Sequence, residues 1–394
     1  MSADPLRDAR NREALATHDL DAVVCRLPEN VLLLTGYWPL SSFAFAVLTA
    51  DGRSALIATD TEQREIPDGA AGEIRTIRSA VVNAADPYEA VEAQLRDVLR
   101  LLTTEGARIG TERSFEAVAP GHVAGEVLVP AARTHELIAA AAAGADISDA
   151  GPALNASRAR KTPDEVERLR LANEIASFGL EAFRQWYEPG RREAEVAAQV
   201  EAAIMSRGTG YRGARHVRGW CQLMSGTGSA LAYSLHPSTS ARVIEPGDLG
   251  VLELGTHVDG YWSDLTRTLV AGRKTTERQD EMYAAVLAAH GAVMAAARPG
   301  MTGHEVDALA REAIEESGFG PHFVHPTGHG LGFRYHEPVP LLRPGNTGAL
   351  DEGMVSSVEP GLYVEGFGGM RLEENVVFTT DGPELLSRFN VSLI

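Results

Sequence analysis

An Asp-Gly pair at residues 259–260 separates two runs in which apolar residues alternate with small or polar ones, GDLGVLELGTHV and YWSDLTRTLVAG. An Asp-Gly pair between such runs is the strongest short-range signal for a β-hairpin with a two-residue loop. Such a loop pairs Gly255 with Asp264 and Glu253 with Thr266. Glu253 and Asp264 are then diagonal neighbours on one face of the hairpin, roughly 7–8 Å apart at the backbone. The sequence therefore predicts a hairpin whose two carboxylates converge.

Two carboxylates that converge among apolar residues need compensation. Their repulsion raises the pKa of one of them unless a proton or a cation lies between them. The alternative is a pair of acids on the solvent-facing edge of the hairpin. The hairpin by itself leaves both alternatives open: Glu253 and Asp264 could form a cation site, or they could be a solvated pair.

Three histidines follow in the segment HPTGHGLGFRYHEP, at positions 325, 329 and 336. His325 and His329 have the i, i+4 spacing of a helical zinc pair. The proline and the glycines around them make a helix there improbable, because these residues break or destabilise helices. We therefore expect at most one of these histidines to be a metal ligand.

Further acids lie near the C-terminus. Glu359 follows the apolar run VSSV, and in GGMRLEENVVF a strand would place Arg371 and Glu373 on one face and Glu374 on the other. Several carboxylates with one imidazole suit Mn, Co, Zn or Fe. Two such ions about 3.5–4 Å apart can share a hydroxide and polarise an amide carbonyl. The set of donors predicts metal-assisted hydrolysis more strongly than any member does alone.

The chain of 394 residues is long enough for two domains. Strand-like and helix-like segments alternate over the first 150 residues, which predicts a small α/β domain with a largely parallel sheet. The segment KTPDE opens a helix, with Thr162 as N-cap and Pro163 in the first turn. We place the domain boundary at residues 155/156.

Charge and cysteine content argue against some partners and compartments. The net charge is −18 and the chain has no basic run, which argues against nucleic acid or an anionic membrane as a partner. The two cysteines, Cys25 and Cys221, form neither a disulfide framework nor a CxxC motif. The polar N-terminus has no signal-peptide pattern. We expect a cytoplasmic protein.

Residues 160–390 resemble the pita-bread metallopeptidase family, which includes aminopeptidase P, prolidase (Xaa-Pro dipeptidase), methionine aminopeptidase and the metal-free creatinase. The matching stretches are SLHPSTSARVIEPGDLGVLELG, GYWSDLTRT, HPTGHGLGFRYHEP, SVEPGLY and GMRLEENVVFTTDGPELLS, in family order. The first 150 residues resemble the creatinase-type N-terminal domain. The resemblance implies an α/β domain (1–155) followed by a pita-bread α+β catalytic domain (156–394).

The resemblance also implies a ligand set and a function. It implies two divalent metal ions, Mn²⁺ first and Co, Zn or Fe as alternatives, and hydrolysis of the bond before proline in a dipeptide or peptide. It further implies a homodimer. The implied metal ligands are Glu253, Asp264, His329, Glu359 and Glu373.

The other roles come from the same resemblance. Asp264 and Glu373 would bridge the ions, and Glu359 would also act as the base. His236 and His336 would be catalytic, with His336 contacting the scissile carbonyl. The implied substrate-side residues are His236, His325 and Arg371.

Glu253 departs from the family pattern, because the metal-dependent members have aspartate at this position. The longer side chain adds about 1.5 Å of reach. An alternative function is therefore metal-independent hydrolysis of a C–N bond in a small molecule, as in creatinase or ectoine hydrolase, with Glu253 in the chemistry. A binding protein without activity is a third reading, although such a protein should have lost several of these residues.

Overall fold

A computed structural model describes residues 4–40, 43–78, 86–113, 132–234, 239–272, 274–387 and 389. Two compact units make up the chain, the first ending at Arg158 and the second running on from Ala159. None of the helices in the described ranges is long and apolar enough to cross a membrane.

The first unit is built from short strands and helices around one sheet. Its buried side chains include Val24, Phe45 and Leu95. The elements are α1 (Pro5–Thr17), β1 (Ala22–Cys25), α2 (Pro28–Thr35), β2 (Phe45–Thr49), β3 (Ser54–Thr59), a short 3-10 helix (Asp60–Glu62), β4 (Glu73–Ile77), α3 (Pro87–Leu102), β5 (Arg108–Thr111), α4 (Ala132–Ala141), β6 (Asp146–Asp149) and α5 (Gly151–Ala159).

The sheet of this unit has the order β4-β3-β2-β1-β5-β6. The pairings β3·β4, β1·β5 and β5·β6 are parallel, while β1·β2 and β2·β3 are antiparallel. The sheet is thus more mixed than the predicted, largely parallel one. For the β2·β3 pair, the reason is the tight turn at Asp51-Gly52, where Gly52 has φ +94°. It returns the chain directly into an antiparallel neighbour, whereas a parallel partner needs a longer crossover.

In its described residues, the second unit combines long helices with three sheets. Its elements are α6 (Pro163–Trp186), α7 (Glu193–Gly208), β7 (Val217–Ser225), β8 (Leu249–Val258), β9 (Tyr261–Val270), α8 (Glu277–Ala296), α9 (Gly303–Glu316), β10 (Gly328–Gly330), β11 (Glu337–Leu342), β12 (Val355–Val358), β13 (Gly361–Val364), β14 (Gly368–Arg371), β15 (Glu374–Thr379) and β16 (Gly382–Leu385), with short 3-10 helices at Tyr211–Gly213, Gly226–Leu231 and Gly320–His322. The sheet orders are β7-β8-β9, β11-β10-β12-β15-β16 and β13-β14.

The predicted start of α6 is confirmed. The Thr162 hydroxyl accepts from the backbone N–H of Glu165, the Glu165 carboxylate accepts from the N–H of Thr162, and Pro163 occupies the first turn. This reciprocal capping satisfies backbone donors that the helix cannot bond internally. Thr276 and Thr302 cap α8 and α9 in the same way.

The predicted hairpin is also confirmed. Asp259 and Gly260 have φ of +48° and +98°, and Glu253 pairs with Thr266 as the loop length requires. Strand alternation places Leu254 and Leu265 on the face that packs in the core with α6 and α7. The opposite face carries both carboxylates of the hairpin.

Candidate active site

His329 is the middle residue of β10, and its glycine neighbours allow close approach of other strands. A Cβ at Gly328 would lie 2.0 Å from the Ser357 carbonyl oxygen, and one at Gly330 would lie 2.3 Å from the Val339 carbonyl oxygen. The Nδ1 atom of His329 lies 2.9 Å from the Gly330 carbonyl oxygen. Because a carbonyl only accepts, Nδ1 holds a proton and Nε2 is the atom turned toward the carboxylates.

Three of the predicted ligands, Asp264, Glu359 and Glu373, converge around that nitrogen. His329 Nε2 lies 3.4 Å from Asp264 Oδ2 and 3.6 Å from Glu359 Oε1. One ligand atom each from His329, Glu359 and Glu373 lies within 4.8 Å of the other two, and the same holds for Asp264, His329 and His336. Groups at this spacing can share a metal ion, although Asp264, His329, Glu359 and Glu373 come from separate segments of the sequence.

Asp264 and Glu373 are buried, Glu359 is largely buried, and the three carboxylates repel one another. Burial raises the pKa of Asp264, and burial with the charges of Asp264 and Glu359 raises the pKa of Glu373 well above its ordinary value. Burial raises the pKa of Glu359 to about 7. Burial alone would lower the pKa of His329, but its contact with Asp264 and the charge of Glu359 raise it to about 9. The cluster therefore favours binding positive charge.

The hydrogen bonds of the Glu373 carboxylate show whether a cation would fit beside it. Its Oε2 atom accepts a hydrogen bond from Thr266 Oγ1 (2.7 Å). Its Oε1 atom is buried and has no hydrogen-bond partner among the described residues. A buried, unpaired carboxylate oxygen is costly. An orphaned oxygen beside an imidazole and two further carboxylates fits a divalent ion.

The chain changes sheets at Glu373. The prediction that Arg371 and Glu373 share one strand is wrong, since β14 ends at Arg371 and β15 begins at Glu374 in another sheet. The physical reason is a backbone bond at the crossing, from the N–H of Glu373 to the Thr266 carbonyl oxygen (3.2 Å). Glu374 forms a buried ion pair with Arg267.

Arg371 is buried, with 5% of its surface exposed. Its Nε donates to Thr266 Oγ1 (2.9 Å), which in turn donates to Glu373, and its Nη1 donates to the Tyr363 hydroxyl (3.2 Å). Its Nη2 contacts Glu253 Oε2. Arg371 therefore orients Glu373 through Thr266 and is paired directly with Glu253.

Glu253 belongs to neither of the groups that meet the metal-ligand spacing, which are drawn from the described residues. Its Oε1 atom lies 3.0 Å from the Tyr335 hydroxyl, whose single proton is shared between Glu253 Oε1 and Asp264 Oδ1. Sequence reasoning missed Tyr335. The one signal for it is its position in RYHEP, beside a predicted catalytic histidine.

The remaining predicted histidines differ in placement. The His336 ring lies 4.1 Å from the His329 ring between centroids. His325 Nε2 lies 3.0 Å from the Tyr363 hydroxyl, and burial with the nearby Arg371 charge lowers the pKa of His325 to about 3, so this imidazole is neutral. His236 lies outside the described residues.

Comparisons with known proteins extend over both units. Residues 167–380 match the model of metallopeptidase family M24, and residues 7–159 match that of the creatinase/prolidase N-terminal domain. Over 234 residues, 59% of this chain, the sequence is 39% identical to an Xaa-Pro dipeptidase of Pyrococcus furiosus, of whose length the match covers 64%. It is 31% identical to the uncharacterized peptidase YqhT of Bacillus subtilis, over 95% of this chain and 96% of that protein.

Solved structures give the same picture for the fold. An Xaa-Pro dipeptidase from Bacillus anthracis superimposes with a TM-score of 0.79 at 26% identity, over 99% of each chain. An X-Pro aminopeptidase from Thermotoga maritima superimposes with a TM-score of 0.78 at 26% identity, over 96% of this chain and 99% of that one.

Proposed function

Since the chain belongs to metallopeptidase family M24, we propose that it hydrolyses the peptide bond preceding proline, as an Xaa-Pro dipeptidase or aminopeptidase. The observation that carries this proposal is the largely buried cluster of three carboxylates around the imidazole of His329. The resemblance to an Xaa-Pro dipeptidase at 39% identity supports the choice of substrate. We propose that the catalytic domain begins near residue 156.

Membership of this family implies divalent metal ions. We propose that Asp264, His329, Glu359 and Glu373 bind one such ion. When bound, it would activate a water molecule and polarise the scissile carbonyl. Three carboxylates with one imidazole suit Mn²⁺, with Co, Zn or Fe as alternatives. A second ion would need Glu253, whose two oxygens already have partners in this structure.

Each nearby residue has a role in the proposed reaction. Glu359 takes the proton of the attacking water at its carboxylate and passes it to the nitrogen of the leaving proline. His336 donates to the carbonyl oxygen as negative charge develops there. The neutral His325 binds substrate, and Arg371 positions the carboxylates. For His236, the proposed substrate-side role rests on the sequence resemblance.

The metal-independent alternative has less support from the contacts. It requires Glu253 as a base or nucleophile, but both of its carboxylate oxygens are engaged, one with Arg371 and one with Tyr335. A base with both oxygens bonded is poorly placed to accept a substrate proton. A cytoplasmic location and a homodimer remain proposals that rest on the sequence.

Substrate preference tests the proposed function. In the presence of Mn²⁺ we expect kcat/KM for Leu-Pro to exceed that for Leu-Ala by about 100-fold or more, since a site shaped for the proline ring and its tertiary amide fits alanine poorly. The tripeptide Leu-Pro-Gly separates the two activities, because an aminopeptidase cleaves it and a strict dipeptidase does not. Equal rates for Leu-Pro and Leu-Ala would contradict a proline-specific site.

A further inference from the structure

The hydroxyl of Tyr335 lies between the two carboxylates of the hairpin. It is 3.0 Å from Glu253 Oε1 and also donates to Asp264 Oδ1. The other oxygen of Glu253 contacts the Arg371 guanidinium. Both oxygens of Glu253 are thus bonded, whereas Glu373 keeps a buried oxygen with no hydrogen-bond partner in the described part of the chain.

A metal ion shared by Glu253 and Asp264 would need the same oxygens. Carboxylate oxygens bind such ions at about 2.0–2.2 Å, closer than a hydrogen-bonded hydroxyl can approach. The phenol and an ion therefore compete for one position. For an ion to bind there, the Tyr335 side chain would have to leave that position.

Tyr335 is held in that position by its surroundings. Its ring packs edge-on against Trp220 and Trp262, at centroid distances of 5.0 and 5.7 Å. The segment carrying it is tied down by a bond from the N–H of Trp262 to the Gly332 carbonyl oxygen (2.8 Å). A ring that packs against two indoles, on a segment held by a backbone bond, cannot swing away without disturbing that packing.

The balance of charge in the site also favours one ion over two. Arg371 is buried and pairs with Glu253, so this carboxylate is already neutralised. Asp264, Glu359 and Glu373 remain around the His329 imidazole. Three carboxylates and one imidazole are a complete donor set for one divalent ion.

We propose that this chain holds one tightly bound divalent ion at Asp264, His329, Glu359 and Glu373, and that the hydroxyl of Tyr335, with the Glu253–Arg371 pair, takes the position of a second ion. Tyr335 is then a positioning residue, which orients Asp264 by its hydrogen bond. This inference rests on the proposed metal-dependent function and narrows it to one ion.

Metal content tests the inference directly. The full chain is loaded with excess Mn²⁺, freed of unbound metal by gel filtration, and analysed by elemental mass spectrometry. We expect one ion per chain in the wild type and in Glu253→Gln, and a loss of that ion in Glu359→Gln. The electron paramagnetic resonance spectrum should be that of an isolated Mn²⁺ ion and not of an exchange-coupled pair.

Two further variants sharpen the experiment. The double variant Glu253→Asp with Tyr335→Phe removes the hydroxyl and shortens the acid, so it should gain a second ion. Tyr211→Phe removes the same atom from a solvent-exposed tyrosine packed on Phe178, and should leave the stoichiometry unchanged.

The outcomes separate the inference from the function on which it rests. Two ions in the wild type, falling to one in Glu253→Gln, would overturn the inference and leave the metal-dependent function standing. A wild-type protein that retains no ion would overturn the proposed function as well. If the double variant fails to fold, the wild type and Glu253→Gln still decide the number of ions.

Discussion

Replacement of Glu359 by glutamine is expected to lower kcat/KM for Leu-Pro by about 10³–10⁴-fold. The loss of a general base alone typically costs 10²–10⁴-fold, and this variant also loses a charged donor of the proposed ion. The amide keeps the shape of the side chain and can still accept from the Ser357 hydroxyl, which lies 3.2 Å from Glu359 Oε1. We expect the variant to fold, since it also removes one of several repelling buried carboxylates.

Glu365→Gln is the matched control, because Glu365 is an exposed acid in the turn between β13 and β14 of the same unit. Its kcat/KM should equal that of the wild type within about twofold. Steady-state hydrolysis of Leu-Pro with Mn²⁺ present measures both variants, and circular dichroism checks folding. If Glu359→Gln retained more than about a tenth of the wild-type rate, the assignment of the base would fail.

Replacement of Lys161 by methionine is expected to lower the free energy of unfolding by about 3–5 kcal/mol. Lys161 Nζ lies 2.6 Å from Glu337 Oε2, and both side chains are almost completely buried, with 0% and 1% of their surfaces exposed. Methionine fills the space but leaves the Glu337 charge buried without its cation. The other Glu337 oxygen accepts from the backbone N–H groups of Phe333 (2.8 Å) and Arg334 (3.3 Å).

This ion pair also supports the site, since residues 333–337 carry Tyr335 and His336. The double variant Lys161→Met with Glu337→Gln removes both charges and should recover much of the lost stability. Lys274→Met is the surface control, because Lys274 is exposed, and it should change stability by less than about 0.5 kcal/mol. Urea unfolding followed by tryptophan fluorescence measures all three variants. A loss of less than about 1 kcal/mol of unfolding free energy in Lys161→Met would show that the buried ion pair does not stabilise the fold.

Much of the architecture could be predicted from local patterns. The Asp-Gly pair specified the hairpin register, because a two-residue loop fixes which residues face each other. The predicted fold class, a small α/β domain followed by a pita-bread catalytic domain, is confirmed. The proline and glycines around His329 correctly argued against a helix, and the structure has strand β10 there.

The contacts of Glu253 could not be predicted in this way. Tyr335 and Arg371 are 82 and 118 residues away along the chain, so their meeting depends on how separate sheets pack. The crossing from β14 to β15 was missed for the same reason, because an alternating pattern gives no sign that a strand ends and the chain enters another sheet. Glu253 was identified as the departure from the family, but its partners emerge only in three dimensions.

We propose that the cluster around His329 performs metal-dependent cleavage before proline. The most direct test is the rate of Leu-Pro hydrolysis by protein stripped with a chelator and then titrated with Mn²⁺. We expect no turnover above the buffer rate in the stripped protein, and recovery that saturates at about one equivalent of added ion. A full rate in the stripped protein, with elemental analysis showing no residual metal, would contradict the claim.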